Sequence, residues 1–215
     1  MRHVIFDMDG TLSDTGILTV KACEQARHAF SLPPLQDEVI YRTIGIATPE
    51  FYERLYPDGP MDAVHAFGEV VERLEDSFIE GMRDRLLFPG VRDLLDAMKQ
   101  QGIRLYVAST GSPFHVDGVL KGTGLTPYFD KIACGAPEKV KMVAEIIGSG
   151  NKKSWAMVGD RSKDTQAAHG NGILSIAAAF GYCDEKEQTG FDRVANTPME
   201  VLAIVKSVLI DDGKE

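Results

Sequence analysis

Cysteine is scarce in this chain: Cys23, Cys134 and Cys183 are odd in number, far apart and in no metal-like pair. Neither a disulfide framework nor a cysteine-held metal is expected, and the three read as free thiols in a reducing cytoplasm. Five scattered histidines offer no zinc spacing either. No apolar run approaches the ~20 residues that a membrane helix needs. The N-terminus lacks a basic segment followed by a long apolar stretch, so no signal peptide is expected. Lysine and arginine form no dense stripe and the formal net charge is -9, which argues against a nucleic-acid polymer as partner. Internal repeats and low-complexity tracts are missing too. What is present, 44% hydrophobic and 26% charged residues in a chain of 215, suits one large globular domain or a domain with a substantial insertion.

Five apolar segments have strand length: HVIF, IRLYVAS (103–109), KIAC (131–134), SWAMVG (154–159) and ILSIAAAF (173–180). Helical patterns separate them, beginning with VRDLLDAMKQQ, PFHVDGVLK, EKVKMVAEIIG and SKDTQAAHG, and PMEVLAIVKSVLI closes the series. Continuous apolar strands alternating with helices predict an α/β fold, a Rossmann-like parallel sheet covered on both faces. Between Asp14 and about Leu87 the alternation stops. Only helical patterns occur there, the longest over residues 62–82 with Phe67, Val70, Val71, Leu74 and Phe78 on one face. The expected organisation is therefore an all-helical insert, residues 15–84, in an α/β core made of 1–14 and 85–215.

Ligands of open parallel sheets bind outside the carboxyl ends of the strands. Asp7 and Asp9 follow the first strand in FDMDGTLSDT, Ser109-Thr110-Gly111 follow the second, and Asp160 and Asp164 follow the fourth in GDRSKD. Any one of them could be an ordinary turn or helix cap. Together they put a hard oxygen cluster on one sheet edge. Crowded carboxylates repel one another unless a positive charge lies between them. Mg²⁺ suits that position, because it takes a few carboxylates and shares a substrate's phosphate oxygens.

These stretches, FDMDGTLSDT, the Ser109 loop and GDRSKD, are similar to the signature motifs of the haloacid dehalogenase-like hydrolases. The likeness is greatest to the phosphoglycolate phosphatase-like branch, with a helical cap inserted after the first motif. It spans nearly the whole chain, including LFPGVRDLLDAMKQQG and NGILSIAAAFGY. The resemblance implies a phosphatase acting on a small phosphorylated metabolite. Asp7 would be the nucleophile that takes the phosphoryl group, and Asp9 the acid and then the base. Mg²⁺ would be held by Asp7, the Asp9 backbone carbonyl and Asp160, with Asp164 as a ligand or behind one. Ser109 and the amides of Thr110 and Gly111 would hold phosphate oxygens, and Gly10-Thr11 would lie in the flap leading to the cap. Asp9 must be protonated when the leaving group departs, so its pKa is expected to be raised.

The family also places a lysine at the start of the helix after the third core strand, where PEKVKMVAEII offers two. Lys139 shares a face with Val143, Ile146 and Ile147, whereas Lys141 lies about 200° round and faces outward; Lys139 is the expected one. Many members of the branch carry Thr-Asn at Ser109-Thr110 and Lys-Pro in place of Gly135–Lys139, so the substrate's name does not follow. Arg42 and the Gly45 loop are candidates for substrate recognition. A phosphomutase using the same residues, or a non-catalytic binding module, are the alternatives, and the oligomeric state is open.

Overall fold

Side chains alternate between the two faces of a strand, so a buried parallel sheet needs an apolar layer on each side. The computed structural model, which describes residues 1–79 and 82–210, meets that need with six strands. They are β1 (His3–Phe6), β2 (Arg104–Ser109), β3 (Lys131–Cys134), β4 (Trp155–Gly159), β5 (Leu174–Ala178) and β6 (Arg193–Ala195). All pair in parallel in the order β3-β2-β1-β4-β5-β6. Phe6 stands opposite Val107 on one side and Val158 on the other. The order reverses at β1, which makes the carboxyl ends of β1, β2 and β4 the crevice of a Rossmann-like sheet.

The helices are α1 (Gly16–Arg27), α2 (Asp37–Thr43), α3 (Glu50–Leu55), α4 (Met61–Ile79), α5 (Val91–Gln100), α6 (Pro113–Thr123), α7 (Lys139–Ile147), α8 (Ser162–Asn171), α9 (Glu185–Gln188) and α10 (Pro198–Val208). Val4 and Phe6 face α5, α6 and α10, where Leu94, Leu120 and Val201 are buried. Ile5 turns to the opposite face with Met157, under Val143 of α7 and Ala167 of α8. β6 was not expected from the sequence. It is a three-residue edge strand with Arg193 and Val194 exposed, so it carries no apolar run. The helix expected to reach Met82 is described as far as Ile79; Glu80 and Gly81, like residues 211–215 of the expected core, lie outside the described residues.

Helices α1 to α4 bury a cluster of their own around Cys23, Tyr52, Tyr56, Val64, Phe67 and Val71. The Phe67 ring meets Phe30, Tyr52 and Tyr56 edge-on, the arrangement aromatic quadrupoles favour. The segments entering and leaving this helical layer run side by side. Asp14 N donates to Leu86 O at 2.8 Å and Phe88 N to Leu12 O at 3.2 Å.

One charge interrupts the apolar face of α4. Its buried residues are Val64, Phe67, Gly68, Val71, Ile79 and Glu75. The Glu75 carboxylate accepts a hydrogen bond from Thr19 Oγ1. Burial pushes its pKa up to about 7 from 4.5, although His115 and Thr19 pull it down. A carboxyl whose folded pKa lies above its unfolded value costs stability once the pH exceeds the unfolded value. That cost is complete above the folded pKa and amounts to about 3 kcal/mol. Glu75→Gln is therefore expected to raise the urea-unfolding free energy at pH 8 by up to about 3 kcal/mol. The gain should shrink as the pH falls through 7 and vanish below 4.5; a less stable variant at pH 8 would contradict the assignment.

Candidate active site

The carboxyl end of β1 delivers Asp7 into the crevice. Asp7 N still bonds Val158 O at 2.9 Å, so the backbone is part of the sheet while the side chain has left its apolar layer. Asp7 Oδ1 accepts from Met8 N at 2.8 Å. Asp7 Oδ2 lies 2.8 Å from Lys139 Nζ, and that ammonium reaches Asp164 Oδ1 at 2.7 Å. All three side chains are buried. Lys139 opens α7 on its inward stripe with Met142 and Val143, whereas Lys141 is exposed and pairs with Glu138. Burial alone would lower the Lys139 pKa, but Asp164 and Asp7 outweigh it and keep the ammonium charged.

Asp160 follows β4 and is fully buried. Its Oδ1 accepts from Thr11 Oγ1 at 3.0 Å. Its Oδ2 lies 3.2 Å from Arg161 Nε without the alignment of a hydrogen bond, so both atoms are buried without one. Asp7, Asp160 and Asp164 each bring an oxygen within 4.8 Å of the others. An oxygen-only donor set with an orphaned buried carboxylate oxygen fits a hard divalent cation. In the protein alone, burial and Asp164 push Asp7 up to about 7 against the pull of Lys139. Burial, then Asp7 and Asp164, push Asp160 well above the usual carboxylate range.

Two glycines make room for these carboxylates. Gly10 sits at φ +79°, and a Cβ there would fall 2.4 Å from Asp160 Oδ2. At Gly159 a Cβ would fall 2.1 Å from Asp164 Cγ. Asp164 also closes the α8 N-terminus, accepting from Arg161 N at 3.0 Å through its second oxygen. Both of its oxygens are thus engaged by the chain itself.

Asp9 is partly open to a cavity of about 300 Å³ between the sheet edge and α4. Its Oδ1 accepts from Thr15 Oγ1 at 2.7 Å and from His115 Nε2 at 2.9 Å. The expected raised pKa is not found. Burial would raise it, but His115 and Thr15 outweigh burial and hold the carboxyl below its ordinary value. Burial would likewise lower His115, yet Asp9, Glu75 and Asp76 push it up to about 9. The proton expected on Asp9 therefore rests on His115 at neutral pH.

Of the other expected contacts, Thr110 and Gly111 line this cavity. Ser109 is buried at the end of β2 and accepts from Gly111 N at 3.1 Å. Thr11 is fully buried and serves Asp160, and Gly10 packs on Asp160 and Tyr182, so both support the carboxylates from behind. Arg42 is exposed and lines a separate groove with Arg161 and Glu187. The buried face of α2 is Ile40 and Thr43, and two positions along a helix turn Arg42 about 200° from Ile40. The Gly45 loop does line the cavity, and Gly45 O accepts from Thr110 Oγ1 and Lys163 Nζ, each at 3.3 Å. Sequence reasoning missed His115, one histidine among five, and the acidic face of α4; the one legible signal was Glu75 four residues after Val71 and four before Ile79.

Residues 4–178 match the family model described as haloacid dehalogenase-like hydrolase. The phosphoglycolate phosphatase of Caulobacter vibrioides is 28% identical over 209 residues, covering 92% of this chain and 88% of that protein. The crystal structure of a predicted phosphoglycolate phosphatase from Haemophilus somnus shares the fold at a TM-score of 0.84 and 21% identity, over 95% of this chain and 97% of that one. A β-phosphoglucomutase from Clostridium difficile shares it at 0.77 and 18% identity, over 96% and 98%. With the match running from β1 through β5, motifs included, this chain belongs to the haloacid dehalogenase-like hydrolases.

Proposed function

We propose that the chain is a Mg²⁺-dependent phosphatase that hydrolyses a small phosphomonoester through an aspartyl-phosphate on Asp7. The observation that carries this reading is the buried Asp7 carboxylate, ion-paired to Lys139 and crowded by Asp160 with its orphaned Oδ2. Asp7, the Asp9 backbone carbonyl and Asp160 would hold Mg²⁺, with Asp164 beside them keeping Lys139 in place. When bound, the ion offsets the carboxylate charge and screens the phosphate oxygens from the nucleophile. Asp7 attacks phosphorus as a carboxylate, and the acyl-phosphate so formed is open to water. Lys139, Ser109 and the Thr110 and Gly111 amides hold the equatorial oxygens, where charge spreads in the transition state. Asp9 passes a proton to the leaving oxygen, drawing on His115, and takes one back from the attacking water. Residues 15–84 act as a cap over the core formed by 1–14 and 85–215. Their separate apolar cluster and the paired crossing at Asp14–Leu86 support that division.

Phosphate release from a panel of phosphomonoesters tests the reading as a whole. Asp7→Asn should abolish turnover with the fold intact by circular dichroism, since the amide is nearly isosteric but lacks the charge to attack. Substantial activity in a verified sample would sink the nucleophile assignment. Chelation with EDTA should stop the reaction and Mg²⁺ should restore it. Ca²⁺ should not, because it prefers more ligands at longer distances; full activity after rigorous metal removal would contradict the carboxylate cluster.

Lys139→Ala should lower kcat/KM by about 2–4 kcal/mol at saturating Mg²⁺, the order for losing a transition-state charge stabiliser. Lys141→Ala, on the exposed face, should change it by less than about 0.5 kcal/mol. The reverse pattern would show that Lys139 plays no part in turnover.

A further inference from the structure

The cavity over Asp9 has a floor and a roof of different chemistry. Thr110, Gly111 and the Asp9–His115 pair form the floor, where the phosphatase reading puts the phosphoryl group. The roof is α4, from which Glu72, Glu75 and Asp76 line the cavity. Their spacing of three and four residues puts them on one helical face.

These carboxylates have no ion pair of their own among the described residues and share the field of one imidazole, His115, with Asp9. The cations lining the cavity, among the described residues, are His115 and Arg73. His115 is paired with Asp9. Arg73 reaches Glu69 at 4.0 Å, and both side chains are mostly exposed. Three roof carboxylates therefore stand without a partner cation. Glu75 is the most telling of them. It is only 8% exposed, it lines the cavity, and Thr19 Oγ1 donates to its Oε1. A carboxylate has room for several donors, and Thr19 fills one of those places.

We propose that the leaving group accepted here carries a protonated amine and no carboxylate, so that the substrate class is an amino-alcohol phosphate. The proposal rests on the phosphatase reading above. An ammonium brings both missing features, a positive charge and up to three N–H donors. A neutral polyol would supply donors but leave the roof charge uncompensated. A leaving group with its own carboxylate would meet this acidic roof in a confined space, which disfavours it. Ile44, Ile46 and Phe51 line the same cavity and suit a short alkyl stem between phosphate and amine.

The test compares phosphate release from ethanolamine phosphate, glycerol phosphate and phosphoglycolate, with p-nitrophenyl phosphate as a reporter of the underlying chemistry. Ethanolamine phosphate should have the highest kcat/KM of the first three, exceeding phosphoglycolate by at least about 100-fold. Glu75→Gln and, separately, Asp76→Asn should each cut that preference about tenfold or more, mainly through a lower kcat/KM for the amine. Equal or better turnover of phosphoglycolate or glycerol phosphate would overturn the proposal while leaving the phosphatase reading intact. So would an unchanged preference in both variants. Failure to release phosphate from any of the four with Mg²⁺ present would overturn the phosphatase reading, and this proposal with it.

Discussion

The ion pair that Lys139 makes with Asp7 and Asp164 is the contact on which the rest of this site depends. Three carboxylates meet at the sheet edge, all buried, and the cations beside them are Lys139 and an Arg161 that Asp160 shares with Glu187, which leaves the cluster net negative. Deleting one partner of such a cluster leaves an uncompensated charge, which costs far more than an exposed ion pair is worth. The surrounding chain is arranged accordingly. Gly10 and Gly159 have no side chain because carboxylates occupy the space. Thr11 spends its hydroxyl on Asp160, and the Arg161 amide caps α8 through Asp164. The orphaned Asp160 Oδ2 marks the charge deficit that remains, and a hard cation is the species that removes it.

Much of this was legible in the sequence because it is local. Five strands follow from apolar runs, and Asp7, Ser109 and Asp160 follow from where those runs stop. Helix phase separates Lys139 from Lys141, since period 3.6 leaves them on different faces. Features made by distant segments were not legible. β6 is three residues of edge strand that carry no apolar run. His115 matters through Asp9, 106 positions away, and its helix gives no hint of a partner. That contact inverts the expected state of Asp9: His115 holds the carboxyl below its ordinary pKa instead of leaving it raised by burial. Arg42 was a candidate for substrate recognition, but the α2 face that packs inward bears Ile40 and Thr43.

The helical layer is attached to the core by residues of the sheet-edge motifs and by Tyr182. Arg161 Nη2 donates to Tyr41 O at 2.6 Å, while its Nη1 stays within the core, donating to Glu187 Oε2 at 3.0 Å. Thr110 and Lys163 both donate to Gly45 O. Tyr182 OH donates to Asp14 Oδ1 at 2.5 Å and accepts from Gly16 N at 2.8 Å. The α2 end of the helical layer, the Gly45 loop and the start of α1 are thus tied to GDRSKD, to Thr110 and to Tyr182. A shift of the layer would disturb those motifs, and an ion settling among the carboxylates would in turn bear on the layer through Arg161, which touches Asp160 and Tyr41 at once.

Floor and roof of this one small cavity differ in the cations they hold. Lys139 and His115 stand among the floor's carboxylates, while the roof's Glu72, Glu75 and Asp76 have no ion pair among the described residues. Charges between low-dielectric walls orient a bound molecule before any specific hydrogen bond forms. On the reading proposed above, the phosphate meets the floor's cations and a cationic end meets the roof. The buried Glu75 weakens the folded state when the cavity holds protein alone, since burial outweighs the help of His115 and Thr19. On the proposed reading a cationic leaving group offsets that cost, so a residue that weakens the helical layer is also one that reads the leaving group.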